Sequence, residues 1–545
     1  MSGLGESTGD RILLAVTVGV SLLLLVALGS RLSAAQAVPQ LLSPLSPLST
    51  DPPFNAIDVP LDGSISISFT QPISRSSLSS QTFAVYGRQG GIPGRDYALD
   101  DLSHTVILLP QRSFFPGEMV EAIATTGMRG ISGDHVPTAT VWRFWTEAGE
   151  GSGQFTGQGH RFGPAAGRGA DEVAIGDVDG DGYLDVVSVE SSLSAGLGAP
   201  NYLYLNDGHA NMDTISYTVG PGDDRTTAVA MGDLDGNGKL DLAVGNSWWG
   251  EESSIYLNDG VGNPFDTISH PFGSWTDGYV YALDVGDVDG DGDLDMVAGR
   301  FTDTTGRGQN AVYFNDGAGV FGTLSHTIGV STEQTMDLEL GDLDEDGDLD
   351  VVYANLGEPS VIWLNDGDGS FDSTSYLVGP ASDTYAIALG DVTGDRALDL
   401  VRGNWGEHNV LYINDGDGHP YDTISYTIGS GGDSTNSLAL GDLTGDGRID
   451  LVVGNWGELN VVYVNDGVGH PFDTFAYAFD TVGGTWDMAT GDMDRDRDLD
   501  LVVGNHGVRD VLYINANIVY LPLVMRRYSP LSWTVLLPLV LRAHW

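Results

Sequence analysis

The feature that most constrains this chain is a twelve-residue stretch that returns seven times. It reads GDVDGDGYLDVV from Gly176, GDLDGNGKLDLA from Gly232, GDVDGDGDLDMV from Gly286 and GDLDEDGDLDVV from Gly341. It continues as GDVTGDRALDLV from Gly390, GDLTGDGRIDLV from Gly441 and GDMDRDRDLDLV from Gly491. Successive starts lie 49 to 56 residues apart. A period of that length implies a repeat architecture, in which each unit buries its apolar face only against its neighbours.

Each copy predicts four short strands. In the second they fall at Thr227–Met231, Leu240–Gly245, Ser254–Asn258 and Thr267–Pro271. Four such strands in about fifty residues make the sheet of a propeller blade. The third strand recurs as YLYLNDG, SIYLNDG, AVYFNDG, VIWLNDG, VLYINDG and VVYVNDG. Its closing Asn-Asp-Gly is turn chemistry that tolerates positive φ. The last copy stops at Asp510–Asn515 without a fourth strand, while an orphan stretch, Gln154 to Gly163, precedes the first. Pairing the two would close a ring and remove its exposed edges. The expected fold is all-β: a seven-bladed β-propeller over 153–515 with metal-binding hairpin loops, preceded by a small Ig-like β-sandwich.

The repeated loop places oxygen ligands at alternate positions. Positions 1, 3, 5 and 9 are Asp177, Asp179, Asp181 and Asp185 in the first copy, and Asp233, Asp235, Asn237 and Asp241 in the second. They are Asp287, Asp289, Asp291 and Asp295 in the third, Asp342, Asp344, Asp346 and Asp350 in the fourth, and Asp442, Thr444, Asp446 and Asp450 in the sixth. Position 7 would offer its backbone carbonyl, from Tyr183, Lys239, Asp293, Asp348 and Arg448. Oxygen-only ligation by six to eight groups suits Ca²⁺, and no His or Cys stands in the loops to attract zinc. An EF-hand fails on spacing, because position 12 is Ser188 in the first copy and Val244 in the second, where a bidentate Glu is required. Two copies depart from the pattern. The fifth keeps Asp391, Asp395 and Asp399 but has Thr393 at position 3 and Arg396 at position 6. The seventh keeps Asp492, Asp494, Asp496 and Asp500 but has Arg495 and Arg497 at positions 4 and 6. Arg at a positive-φ position is strained. These two loops are expected to bind weakly or to carry Arg–Asp pairs in place of the ion.

D-x-D-G-D-G-x-x-D loops joining strands at this period resemble FG-GAP/VCBS repeats, the units of the integrin α-subunit propeller and of many bacterial surface proteins. The resemblance spans all seven copies and implies calcium hairpins on one face, so that the turns after the second and before the first strands lie on the other. The turns on that other face carry Trp248, Trp249, Trp405, Glu407, Trp456, Glu458 and His506, with Trp275 and Trp486 in the turns that enter the first strands. Exposed Trp beside Asn and Glu suits a sugar ring or a protein hot spot, against the alternative that these rings pack between blades as local core.

The rest of the chain sets the context. Residues 12–29 form an almost unbroken apolar run, followed by Ala35-Gln36-Ala37, a small-x-small cleavage pattern. Residues 1–37 are therefore read as an export signal or an uncleaved anchor, and 38–53 as a Pro/Ser linker. Residues 54–148 show strand patterns with PLDGSISISFTQPI, FFPGEMVEAI and VWRFWTEA, which resemble bacterial Ig-like modules of the surface-layer type. That resemblance implies a spacer or adhesion module. The tail, 516–545, holds two apolar segments broken by Pro522 and Pro538, and reads as a surface-retention signal. A net charge of −53 argues against nucleic-acid partners. No nucleophile–base pairing is visible. The chain reads as an exported calcium-binding surface protein, a monomeric propeller that binds a glycan or an extracellular protein and is attached to the cell envelope. A secreted polysaccharide-active enzyme and a purely structural envelope component are the alternatives.

Overall fold

The computed structural model describes residues 44–515, apart from short stretches of which 191–197 and 302–307 are the longest. The signal-like run, residues 38–43 of the linker and the tail lie outside the described residues, as do Trp248, Trp249 and Trp275. Every described element is a strand except one 3-10 turn at Arg75–Ser77. None of the described residues forms a helix long and apolar enough to cross a membrane.

The first module is two four-stranded sheets. One orders Pro47–Asp51, Ile65–Phe69, Thr105–Pro110 and Arg95–Asp100; the other orders Ala56–Val59, Thr140–Thr146, Met119–Ala124 and Phe83–Gly87. They share a core in which Ile67, Phe69 and Leu108 from one meet Phe83, Val120 and Trp142 from the other. The strand Pro47–Asp51 corrects the sequence reading, which gave 38–53 to a linker. Its Pro47 opens an edge strand, where the missing N–H removes no ladder bond.

Each Asp loop joins the first two strands of an antiparallel sheet. In the second copy these are Thr226–Gly232, Asp241–Asn246, Ser253–Tyr256 and Ser269–Phe272, within about two residues of the sequence reading. Two strands are longer than expected. Asp350–Leu364 runs through what would be a second and third strand, and Thr374–Gly390 continues into the next copy, joining two units into a six-stranded sheet. The orphan stretch contributes His160–Phe162, which pairs antiparallel with Asp510–Tyr513 of the last copy.

The Asn of Asn-Asp-Gly does more than turn the chain. Its side-chain amide donates to the position-2 carbonyl of the preceding copy's loop at 2.7–2.8 Å, through Asn258, Asn315, Asn365, Asn414 and Asn465, and Asn515, at the same place in the last copy but without the Asp-Gly, does likewise. Asn206 of the first copy reaches Met493 of the last in the same way at 2.8 Å, so the pattern runs round without a break. A second set of pins lies on the first strands. The carboxylates of Glu172, Asp284, Asp337, Glu339 and Asp487 accept backbone N–H bonds from the next copy's first strand, at Val229, Leu340, Ile387, Leu389 and Val173.

The Ig-like module sits on the Asp-loop face. Val141 N–H donates to the position-6 carbonyl of Gly347, Asn55 Nδ2 to that of Arg396 and the Tyr86 hydroxyl to that of Gly292, and just beyond the module Gly149 N–H donates to that of Arg497, at 2.6–2.9 Å. Two cations enter the repeats, Arg88 half-buried and Arg143 buried. Arg88 meets Asp284 at 2.7 Å, and Arg143, ion-paired with Glu121 at 2.8 Å, donates to Leu340 O. The strand patterns record this docking. Ile65–Phe69 alternates buried and half-buried, as a sheet with one wet face does, whereas Phe83–Gly87 is buried throughout.

Candidate metal centres and the opposite face

All seven loops share one internal geometry. The position-6 N–H donates to the position-1 carboxylate at 2.7–3.1 Å. Both oxygens of the position-9 carboxylate are occupied as well. One accepts the position-2 N–H at 2.8–3.1 Å. The other accepts the N–H of the pinning Asn at 2.7–3.0 Å. Thus the Asp at position 9 belongs at once to the loop, the third strand and, through the Asn, the neighbouring copy. Sequence spacing identified it as a ligand and missed its role as a joint.

Carboxylate oxygens converge to within 4.8 Å in five loops. They come from Asp177, Asp179 and Asp185; Asp233, Asp235 and Asp241; Asp287, Asp289 and Asp291; Asp342, Asp344 and Asp350; and Asp492, Asp494 and Asp500. Each group could hold a metal ion. The buried atoms Asp177 Oδ1, Asp233 Oδ1, Asp344 Oδ1 and Asp492 Oδ1, with Thr444 Oγ1 of the sixth loop, have no hydrogen-bond partner. An unpartnered buried acceptor is costly, and a cation is the ligand that satisfies several at once.

Two loops differ from expectation. The seventh, with Arg at positions 4 and 6, assembles its carboxylates like the unmodified copies. Arg497 does adopt the left-handed conformation, at φ 78°, yet its side chain forms no ion pair with the loop among the described residues. Arg495 turns outward and lies 4.2 Å over the ring of Tyr183 in the first loop, a cation–π contact across the seam. Long side chains leave a tight loop easily, which is why the predicted Arg–Asp pairs do not form there. In the sixth loop they do: Arg448 at position 7 pairs with Asp446 at position 5. The fifth loop brings no such carboxylate triplet together, consistent with its Thr393.

Burial pushes the position-9 carboxyls up, to about 8 for Asp185, Asp241 and Asp399 and about 7 for Asp450. The position-1 groups Asp233 and Asp492 are also pushed up by burial, to about 7. In the unfolded chain these groups titrate near 3.9. The metal-free fold therefore holds more protons than the unfolded chain between about pH 4 and pH 8, and its stability falls as pH rises through that window. A cation held in these loops would take the place of those protons and remove that loss. Thermal melts at pH 5.5 and pH 8, in chelator and in calcium, check this: the low-pH advantage is expected in chelator alone.

On the face away from the loops, Tyr385, Trp405, Trp456, Trp486 and His506 form a continuous aromatic arc. Ring centroids are 5.2 Å apart for Tyr385–Trp405, 6.3 Å for Trp405–Trp456, 5.1 Å for Trp456–Trp486 and 4.6 Å for Trp456–His506. All five are half-buried, and Glu407 and Glu458 beside them are exposed. Gly484 makes room for the arc, since a Cβ there would fall 2.4 Å from Trp456. A cleft of about 540 Å³ adjoins it, lined by Ser382, Asn404, Glu407, His408 and Gly431 among others.

The fold is a propeller-type array of β-repeats carrying acidic cation loops, with a β-module at its N-terminal end. FG-GAP-like repeats match at 301–353, 342–402, 391–453 and 442–503, an FG-GAP repeat matches at 226–260, and a bacterial Ig-like domain matches at 43–146. The chain thus carries FG-GAP repeats and an N-terminal bacterial Ig-like domain. Modules of both kinds are typical of extracellular or surface proteins. No curated protein matches the chain. Similar solved structures include BBS1N in complex with ARL6DN from crystals soaked with mercury, at 14% identity and TM-score 0.44, covering 66% of this chain and 96% of that one. The lead-soaked form gives 14% and 0.43, over 65% and 96%.

Proposed function

We propose that the chain is an exported surface protein in which the repeats close as a seven-bladed, calcium-stapled propeller. Its Ig-like sandwich caps the calcium face, and the opposite face binds a glycan or extracellular protein. The observation that carries this reading is the aromatic arc. It joins residues far apart in sequence, and it lies on the face left free by the docked module. Half-buried Trp side chains give a rigid platform that loses little entropy on binding, and such residues dominate interface energies. The −53 charge favours neutral or basic ligands over acidic polymers. The chain is read as a binding protein on the strength of this platform.

A glycan array and a panel of extracellular proteins test this, with Trp456→Ala as the control. Binding by the wild-type chain is expected, weakened at least about 30-fold in the variant, as for a hot-spot residue of about 2 kcal/mol. Binding that Trp456→Ala leaves unchanged would refute the assignment of the arc. Release of new sugar ends from any polysaccharide would favour the enzyme reading instead.

A further inference from the structure

One arginine of the repeats is buried without a counter-ion. Arg402 stands three residues after the position-9 Asp of the fifth copy, where the other six copies have Ser188, Val244, Ala298, Tyr353, Val453 and Val503. It is 1% exposed, yet it forms no ion pair among the described residues. Its terminal nitrogens donate to neutral oxygens, at 2.9 Å to Val378 O and 2.6 Å to Thr384 Oγ1, and its Nε has no hydrogen-bond partner. Arg88 and Arg143, which pin the Ig-like module, each have a carboxylate partner. Burial pushes the Arg402 pKa down against the opposing effects of Tyr412 and Glu407. A buried charge without its counter-ion is unfavourable, and an incoming anion relieves it.

Arg402 lines the cleft of about 540 Å³ beside the aromatic arc. Buried Ser382, Asn404 and Tyr412 share the lining, and Glu407 and His408 are its exposed members. Glycine keeps the cleft open. Gly406 and Gly432 have positive φ and nothing within 4 Å of where a Cβ would lie, and a Cβ on Gly431 would fall 2.5 Å from the His408 ring. Trp405 of the arc and Glu407 of the cleft belong to one turn, between Asp399–Asn404 and Asn409–Ile413, so a single ligand can reach both. A polar lining over one buried guanidinium suits an oxygen-rich ligand that bears a carboxylate, the partner with which arginine forms its strongest charge-assisted bonds. We propose that this cleft seats the carboxylate of an acidic sugar at the end of a glycan, with Arg402 as its counter-charge and the arc carrying the neutral sugars that follow. The net charge of −53 does not bar such a ligand. Exposed charges are screened beyond about 8 Å at physiological salt, so one acid on a neutral chain is admitted where an acidic polymer is repelled. The inference rests on the binding reading of the arc given above and goes beyond it in the sugar class and the residue that selects it.

The test titrates the full chain calorimetrically with hexuronic acids and with the neutral hexoses of the same configuration. At least one hexuronic acid is expected to bind at least about tenfold tighter than its hexose. Arg402→Met, which keeps the bulk of the side chain, is expected to abolish that preference. Glu407→Gln gives a second reading at an exposed position. Removing this like charge is expected to strengthen acid binding about threefold and leave hexose binding unchanged. N-acetylglycine, a carboxylate without the sugar, is expected to bind more weakly than the preferred hexuronic acid. Equal binding would assign the cleft to a protein chain terminus and overturn the sugar class. The proposal is also overturned if no hexuronic acid is preferred, or if the preference survives in Arg402→Met. Should that variant fail to fold, an unchanged preference in Glu407→Gln overturns it instead. Failure of the underlying reading of the arc looks different: the acid preference would persist while Trp456→Ala left glycan binding unchanged.

Discussion

Withdrawing calcium with excess chelator is expected to cost the folded chain more than about 10 kcal/mol. A site held at a hundred times its dissociation constant contributes about 2.7 kcal/mol to the folded state. Five loops bring three carboxylates together, so their contributions accumulate even before the mutual repulsion of the emptied sites is counted. The consequence spreads because each loop is a joint. The position-9 Asp holds the third-strand Asn, and that Asn holds the preceding copy. The Ig-like module also rests on position-6 carbonyls of three loops, and the connection that follows it on a fourth through Gly149. Loss of the ions should therefore loosen the docked module together with the repeats. Melting in calcium and in chelator measures the first effect, and proteolysis in the 147–153 connection reports the second. An unchanged melting temperature would show that the loops are closed by their own hydrogen bonds.

The largest single-residue effect is expected at Arg143. It is almost fully buried, as is its partner Glu121, and its other contact is the carbonyl of Leu340. Glu121 uses its second oxygen to accept the N–H of Asp287, position 1 of the third loop. Arg143→Ala leaves Glu121 buried and uncompensated at the edge of a metal centre. Breaking one side of a buried pair typically costs about 3–5 kcal/mol, whereas replacing both partners by apolar groups is often neutral. Urea unfolding should show that loss in Arg143→Ala and substantial recovery in Arg143→Met with Glu121→Leu. A loss below about 1 kcal/mol would mean that the module does not depend on this contact.

The parts of this arrangement that were legible in sequence are those in which chemistry acts at short range. Ligands at alternate positions, glycine at the tight turn and apolar alternation are written within a dozen residues, as in Asp177 to Val187. The arrangements that escaped act across long separations. Asn465 reads as a turn residue, and nothing near it announces a bond to Val392. Arg143 alternates with apolar neighbours in VWRFWT as a solvent-facing residue would, and only the docked repeats reveal what it faces. The sixth and seventh loops exchange rank for a similar reason. Arg448 happens to reach its own Asp446, whereas Arg495 reaches Tyr183 of a copy more than 300 residues away.

The most direct test of the loops as metal centres is the number of calcium ions that the purified full chain retains at equilibrium. The five loops with converged carboxylates predict about five tightly held ions per chain, with weaker uptake at the loops beginning with Asp391 and Asp442. One ion or none would contradict it, and would leave the seven acidic loops as turns held by hydrogen bonds alone.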